Sequence, residues 1–418
     1  MTAVRSRFLR TTHFPMRRLI TFARDFIGIG LRRLAKNHGG SATELANGCQ
    51  PSTQTIQSSG VCSTRWIGSI EDQSLETRPG MKSAPVASSN FSERIADPAS
   101  QFHPDYLAYR NREITKRELI ARLPHVALLG DSVCMDIYIS LPWSTFWRAR
   151  TCRGSNWFLD TGSSPSRIRS VSTRLEEITP FVAMEYAGIG ALVDHEGVRS
   201  NFFRRILGTR NFCGQITQLL RAPRFPNLIL ISIGHNNVDW AWRCSPDELK
   251  EPEARLNDQC QQFRQNYARE LRRLLARART EKHRLAVVVF GLINFESYFK
   301  GREAAERRRQ SDRRLYPHLE TTYKYFVSFH PDYRRNLIRL ASMVNEELRR
   351  MVADLNRELE ETENIQLRYS HALATADLSR AELLHPIDGW HASAAGHNVL
   401  AEAAFNELGP SLKFLGIK

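Results

Sequence analysis

Four short stretches of this chain hold residue types whose combination could open an acyl bond. That chemistry needs a nucleophile, a base to take its proton, and donors for the oxyanion that develops. Gly130-Asp131-Ser132 offers a serine directly after an apolar run. Asp388-Gly389-Trp390-His391 places a carboxylate three residues before a histidine, close enough to orient the ring through Nδ1 and leave the other nitrogen as a base. Gly234-His235-Asn236-Asn237 supplies an asparagine amide, the kind of donor an oxyanion accepts from. Tyr186-Ala187-Gly188-Ile189-Gly190-Ala191 supplies glycines, which allow close backbone approach and a free N–H.

Each stretch alone has a plainer use. A Ser or Asp after a strand commonly caps the next helix, and Gly-x-Asn is ordinary in a strand-to-loop turn. His385 lacks a carboxylate at the right offset, and His397 falls on the helix that follows, packed or solvated. Other chemistries find less. The chain has no Gly-x-Ser-x-Gly elbow. His195-Glu196 is followed by Arg199 where a second metal-binding histidine would stand. Gly188-Ile189-Gly190 meets Val193 where a dinucleotide fingerprint needs glycine, and no P-loop lysine occurs. Seven cysteines are scattered with no Cys-x-x-Cys pair, which argues against a zinc ribbon or a compact disulfide scaffold and leaves room for one or two bridges. No cofactor and no metal are expected.

Strand ends must position these residues. His125 to Leu129, Phe181 to Ala187, Asn227 to Ile233, Leu285 to Leu292 and, more weakly, Ile365 to Tyr369 read as strands buried on both faces. Between them run helical stripes, one through Phe263, Tyr267, Leu271 and Leu275, another from Leu337 through Val344 and Leu348 to Leu359. A helix-like stretch, Asp105 to Arg122, leads into the first strand. Strand–helix alternation predicts a three-layer α/β/α sandwich with a mostly parallel five-stranded sheet, active at the carboxyl ends of its strands. Gly301 to Arg314, rich in arginine, reads as an exposed insertion.

The formal charge of +15 is uneven, with nine basic residues against one acidic in residues 1–40. Residues 1–38 read as a basic amphipathic segment. Across 16–36, Leu19, Phe22, Phe26 and Leu34 share a face opposite arginines, as in a helix lying on an anionic membrane or packing on the protein's own surface. Residues 39–104 are rich in Ser, Thr, Gly, Gln and Pro and read as a disordered linker, leaving 105–418 as the folded domain. No apolar run spans a membrane and no secretory cleavage site is evident, so an intracellular protein, soluble or peripheral to a membrane, is expected.

In this order the four stretches resemble the SGNH (GDSL) hydrolases, over about residues 120–410. The resemblance implies a flavodoxin-like sandwich and an esterase or lipase working through an acyl-enzyme. Ser132 would be its nucleophile, His391 its base and Asp388 the residue orienting the base. The Ser132 N–H, the Gly190 N–H and the Asn236 side chain would form the oxyanion hole. Two positions depart from the pattern: Asn237 stands where Asp is usual, and Glu185 where the second block commonly opens with Asn, which makes Gly188 a rival to Gly190. The expected partner is an acyl-ester substrate, lipid or carbohydrate. A basic scaffold for anionic membrane or nucleic acid is the competing reading. It has charge on its side but no nucleic-acid-binding motif, so nucleic acid is not an expected partner.

Overall fold

The computed structural model describes residues 103–135, 155–160, 168–193, 210–240, 252–313, 315, 333–360, 362–385, 389 and 391–417. The basic amphipathic segment, nearly all of the linker, Asp388 and Trp390 lie outside them.

Five strands, β1 (His125–Gly130), β2 (Val182–Glu185), β3 (Leu228–Ser232), β4 (Leu285–Phe290) and β5 (Ile365–Ser370), form one sheet in the order β2-β1-β3-β4-β5, every pairing parallel. All residues of the first four are buried, which explains their unbroken apolar sequences: a parallel sheet covered on both faces has no solvated side to alternate toward. β5, at the edge, alternates partly, and this is why its signal is the weakest in the sequence. The predicted strands all exist, with bounds differing by one or two residues.

The helices are α1 (Pro104–Arg110), α2 (Lys116–Arg122), α3 (Val171–Glu176), α4 (Phe212–Arg221), α5 (His235–Trp240), α6 (Pro252–Thr280), α7 (Phe295–Ser311), α8 (Tyr333–Glu358), α9 (Ala372–Thr375), α10 (Ala394–Asn406) and α11 (Gly409–Leu415). α4 packs on β1 and α6, α6 on α8, and α8 on β5, making one covering layer. α10 packs on α3 and α9, and α9 lies against β4, in the other. The apolar stripes predicted for α6 and α8 are the faces by which they meet: Phe263, Tyr267, Leu271, Leu337, Val344 and Leu348 are all buried. The result is the expected three-layer α/β/α sandwich.

Two expectations need correction. The stretch before β1 is two helices, because Thr115 starts a new one. Its hydroxyl accepts from the Glu118 N–H while the Glu118 carboxylate takes the Thr115 N–H, a reciprocal cap that ends one helix's reach and begins another. The arginine-rich stretch from Gly301 is no exposed insertion. It is the second half of α7, whose buried face carries Phe295, Tyr298, Phe299, Arg302 and Ala305. Gly301 sits against the next layer so closely that a Cβ there would lie 2.2 Å from the Leu378 carbonyl oxygen. From Glu306 onward nearly all of the described residues of the stretch are exposed.

Among the described residues no helix is long and apolar enough to cross a membrane. Cys134, Cys213 and Cys260 are free thiols.

Candidate active site at the carboxyl ends of β1 and β3

In this strand order the chain reverses direction across the sheet between β1 and β3, and the crevice beyond their carboxyl ends is where open α/β sheets bind ligands. Ser132 emerges there, two residues past Gly130, the last residue of β1. Gly130 is required by close approach: a Cβ would lie 2.4 Å from Cys134 Sγ and 2.7 Å from the Ser232 carbonyl oxygen of β3. Its peptide is gripped by Gln215 of α4, whose Oε1 accepts from the Gly130 N–H (3.0 Å) and whose Nε2 donates to the Gly130 oxygen (2.8 Å). Ser132 itself begins a single 3-10 turn, Ser132–Cys134, so the dipole available at that point is much smaller than a long helix would give. Cys134 is no rival nucleophile. Burial, then the nearby Asp131, pushes its thiol well above the usual range, and its Sγ–H donates to the Ser232 oxygen at 3.3 Å.

Asp131 is fully buried and acts only as an acceptor. One oxygen takes the Val133 N–H at 3.1 Å. The other takes the Gly234 N–H (3.2 Å), the His235 N–H (3.1 Å) and His235 Nδ1 (2.9 Å). The tautomer of His235 follows from its second nitrogen. The Ile293 N–H donates to Nε2 at 3.2 Å, so the ring proton is on Nδ1 and points at Asp131. Both nitrogens of His235 are therefore committed, and it is not available as a base.

The loop after β3 carries both asparagines. Asn236 Nδ2 donates to the Ala191 oxygen at 3.0 Å, which spends one of its two amide hydrogens. Asn237 turns its oxygen instead to the Val193 N–H at 3.0 Å. The two asparagines thus tie the β3 loop to the loop after β2, Asn236 through its amide nitrogen and Asn237 through its amide oxygen. In that second loop the Gly188 N–H donates to the Gly130 oxygen at 3.0 Å, which occupies it. Gly190 adopts a φ of +68°, in the region that favours glycine.

Glu185, where the second block departs from the pattern, is buried and takes the Asn156 amide at 2.6 Å. Asn156 in turn accepts from the Phe158 and Leu159 N–H groups, so the acidic residue anchors the 155–160 segment.

His391 arrives from the far end of the chain, half-buried, on the loop before α10. A small two-sided ladder holds that loop: the His385 N–H donates to the His391 oxygen (2.8 Å), and the Gly389 N–H to the His385 oxygen (2.8 Å). Behind it, Tyr298 Oη and Arg302 Nη1 of α7 both donate to the Gly389 carbonyl, each at 3.2 Å. Arg302 is 4% exposed, so this is a buried charge-assisted grip on the residue that directly follows Asp388.

Ser132, Asn236 and His391 line one narrow cleft with about 30 Å³ of water-sized space, walled by Ile293, Phe295 and Leu384 and also by His397. Gly190 is not among its lining residues. Sequence reasoning missed Gln215, Arg302 and the Asp131–His235 pair. The one available signal was for Gln215, a glutamine on the apolar face formed by Phe212, Ile216 and Leu219. Among the described residues no group of three His, Cys, Asp or Glu side chains is arranged to hold a metal ion.

A three-layer sandwich with serine, asparagine and histidine gathered beyond its parallel strands defines an α/β protein of hydrolase type. More particularly, the chain belongs to the GDSL-like Lipase/Acylhydrolase family, whose model matches residues 127–404. No curated protein matches it in sequence. Among solved structures, two crystal structures are each 14% identical to this chain. One covers 70% of this chain and 99% of its own, with a TM-score of 0.39; the other covers 69% and 97%, with a TM-score of 0.33. Another, described as Salicylyl-Acyltransferase SsfX3 from a Tetracycline Biosynthetic Pathway, is 14% identical over 71% of this chain and 57% of its own, with a TM-score of 0.28.

Proposed function

We propose that this chain hydrolyses O-acyl esters through an acyl-enzyme on Ser132. The observation that supports this reading best is that Ser132, from the start of the sheet, and His391, from the end of the chain, line the same cleft with Asn236. Membership of the family supports a hydrolase acting on esters; the residue roles are our reading of the site.

In that reading His391 takes the Ser132 proton as the hydroxyl attacks the ester carbonyl, and the negative charge that develops on oxygen is met by the second N–H of the Asn236 amide and by the backbone N–H of Ser132. Gly190, outside the cleft lining, would join them only if its loop moved inward. His391 then gives the proton to the departing alcohol, and water reverses the sequence to free the acid. Asp388 orients His391 and stabilises it while it is charged. His235 cannot take the base's part, since Asp131 and the Ile293 N–H hold both of its nitrogens.

The scaffold reading keeps its charge in the folded body, where α6 and α8 carry 13 arginines against 7 carboxylates, several of them paired, as in Arg264 with Glu347 and Arg272 with Glu358. Charge alone, however, gives no reason for Ser132, Asn236 and His391 to line one cleft. A fluorophosphonate probe separates the two. It should label the wild-type protein and fail to label Ser132→Ala, and Ser132→Ala should lower the rate on p-nitrophenyl esters by at least roughly 10³. Labelling that persists in Ser132→Ala would remove Ser132 from the mechanism.

A further inference from the structure

His397 is a second histidine in the wall of the cleft, and nothing in the reading above uses it. It sits on α10, 1% exposed, six residues beyond His391. Its Nδ1 accepts the Trp157 N–H at 3.2 Å. A backbone N–H can only donate, so the ring proton is on Nε2. Among the described residues that Nε2 meets no acceptor, although it is buried. Trp157 is not part of the cleft lining, whereas His397 is. The ring thus spends one nitrogen on the scaffold, and its other N–H is left without an acceptor among the described residues.

A buried donor with no acceptor is costly, and among the side chains that carry an unpaired buried atom His397 is one that lines the cleft. Satisfying the Trp157 N–H needs only an acceptor at the Nδ1 position. The cleft wall also carries Ile293, Phe295, Leu384 and Leu400, whose side chains offer no donor, which leaves His397 as one of the few groups that could meet a substrate oxygen. The ring also stays neutral: burial, then the neighbouring His391 and His385, lowers its pKa to about 3. It therefore donates across the working pH range and does not oppose the charge His391 gains in turnover.

We propose that His397 is a specificity-determining residue whose Nε2–H binds an acceptor oxygen within the acyl group, so that the preferred substrates are esters of short acyl groups bearing an ether, hydroxyl or keto oxygen. This rests on the esterase reading of the same cleft. The narrow space beside Ser132 favours a short acyl group over a long chain.

Two substitutions divide the ring's functions. In His397→Asn the amide oxygen can stand near the Nδ1 position and keep the Trp157 bond, while the Nε2 donor is lost. In His397→Gln the amide nitrogen reaches the Nε2 position, while the Trp157 acceptor is lost. The measurement is kcat/KM for p-nitrophenyl methoxyacetate relative to p-nitrophenyl butyrate, a pair differing by one oxygen for one methylene. Comparing this ratio between proteins cancels the difference in intrinsic reactivity. His397→Asn should lower the ratio by roughly tenfold with a thermal midpoint near wild type, as expected for one lost hydrogen bond. His397→Gln should keep the ratio and lower the midpoint. A ratio unchanged in His397→Asn, or lowered equally in both, would overturn the proposal and leave His397 a purely structural residue. The preference is also read without turnover, as the ratio of dissociation constants for methoxyacetamide and butyramide, measured on Ser132→Ala alone and on Ser132→Ala combined with His397→Asn. A wild-type protein that cleaves neither ester defeats the esterase reading, and the binding ratio still decides the donor.

Discussion

His235 Nδ1 lies 2.9 Å from Asp131 Oδ2, and the same ring accepts the Ile293 N–H on its other nitrogen. One imidazole thereby ties the turn behind Ser132 to the loop carrying Asn236 and to the segment that follows β4. The histidine of Gly-His-Asn is a strut, and the aspartate of Gly-Asp-Ser is its anchor.

Asp131→Asn should therefore disturb more than one element. The new amide would put N–H groups against donors from Val133, Gly234 or His235, since every hydrogen bond found at Asp131 is one it accepts. We expect a loss of about 2–3 kcal/mol, the scale of hydrogen bonds to a charged group, seen as a thermal midpoint lower by several degrees. kcat should fall with it, because the Ser132 turn and the Asn236 loop lose their common fixed point. Calorimetry and esterase rates on the purified variant check both, and a wild-type midpoint would refute the network.

The asparagine pair gives a sharper test. Asn236→Ala should lower kcat by roughly 10²–10³ with little change in KM, because a donor to the oxyanion acts mainly in the transition state. Asn237→Ala should cost less than about tenfold, since its oxygen serves only to hold the Val193 N–H in the bonds described. If Asn237→Ala proves the costlier, the donor has been assigned one residue too early.

Arg302→Met should lower kcat by about tenfold or more while KM moves little, because the Gly389 carbonyl loses its cationic donor and the His391 loop its fixed height. Arg302→Lys should recover part of the rate. Steady-state kinetics beside a thermal melt decides it: a lower midpoint with an unchanged kcat would confine Arg302 to stability.

Acid should destabilise the protein through two buried histidines. Burial lowers His397 to about 3 and His125 to about 4. Both lie below the unfolded value of about 6.5, so the unfolded chain binds more protons between those limits. Stability contributed by the neutral rings is thus complete above about pH 6.5 and is lost as pH falls toward 4 and then 3. The thermal midpoint, followed from about pH 7 to about pH 4, should fall, and His397→Gln should show a shallower acid limb. An identical limb in that variant would show that His397 does not titrate as its burial implies.

The sequence made legible what is local. Unbroken apolar runs fit β1, β3 and β4 because those strands are buried on both faces, and β5 is faint because half-buried Gln366, Arg368 and Tyr369 break its apolar pattern. Ser132, Asn236 and His391 stood out because each follows a strand or precedes a helix within a few residues. Partnerships that cross the fold leave no spacing to read. Gln215 grips Gly130 and Arg302 grips Gly389, and in each pair the residues are scores of positions apart. Gly301–Arg314 differs from its reading in the sequence for a related reason: counting arginines registers the exposed charges and hides the buried guanidinium at Arg302. Asp388 lies outside the described residues, so its role rests on the spacing to His391.

The parallel order β2-β1-β3-β4-β5 also has a consequence in time. Parallel pairs join distant stretches of chain, and such non-local contacts form late in folding. Ser132 leaves the ribosome long before His391 does. Until β5 has added to the edge and α10 has taken its place at the cleft, the serine lacks the histidine proposed as its base. On the proposed mechanism the nascent chain is an inert hydrolase, one that acquires its reactivity only after His391 has been made and docked.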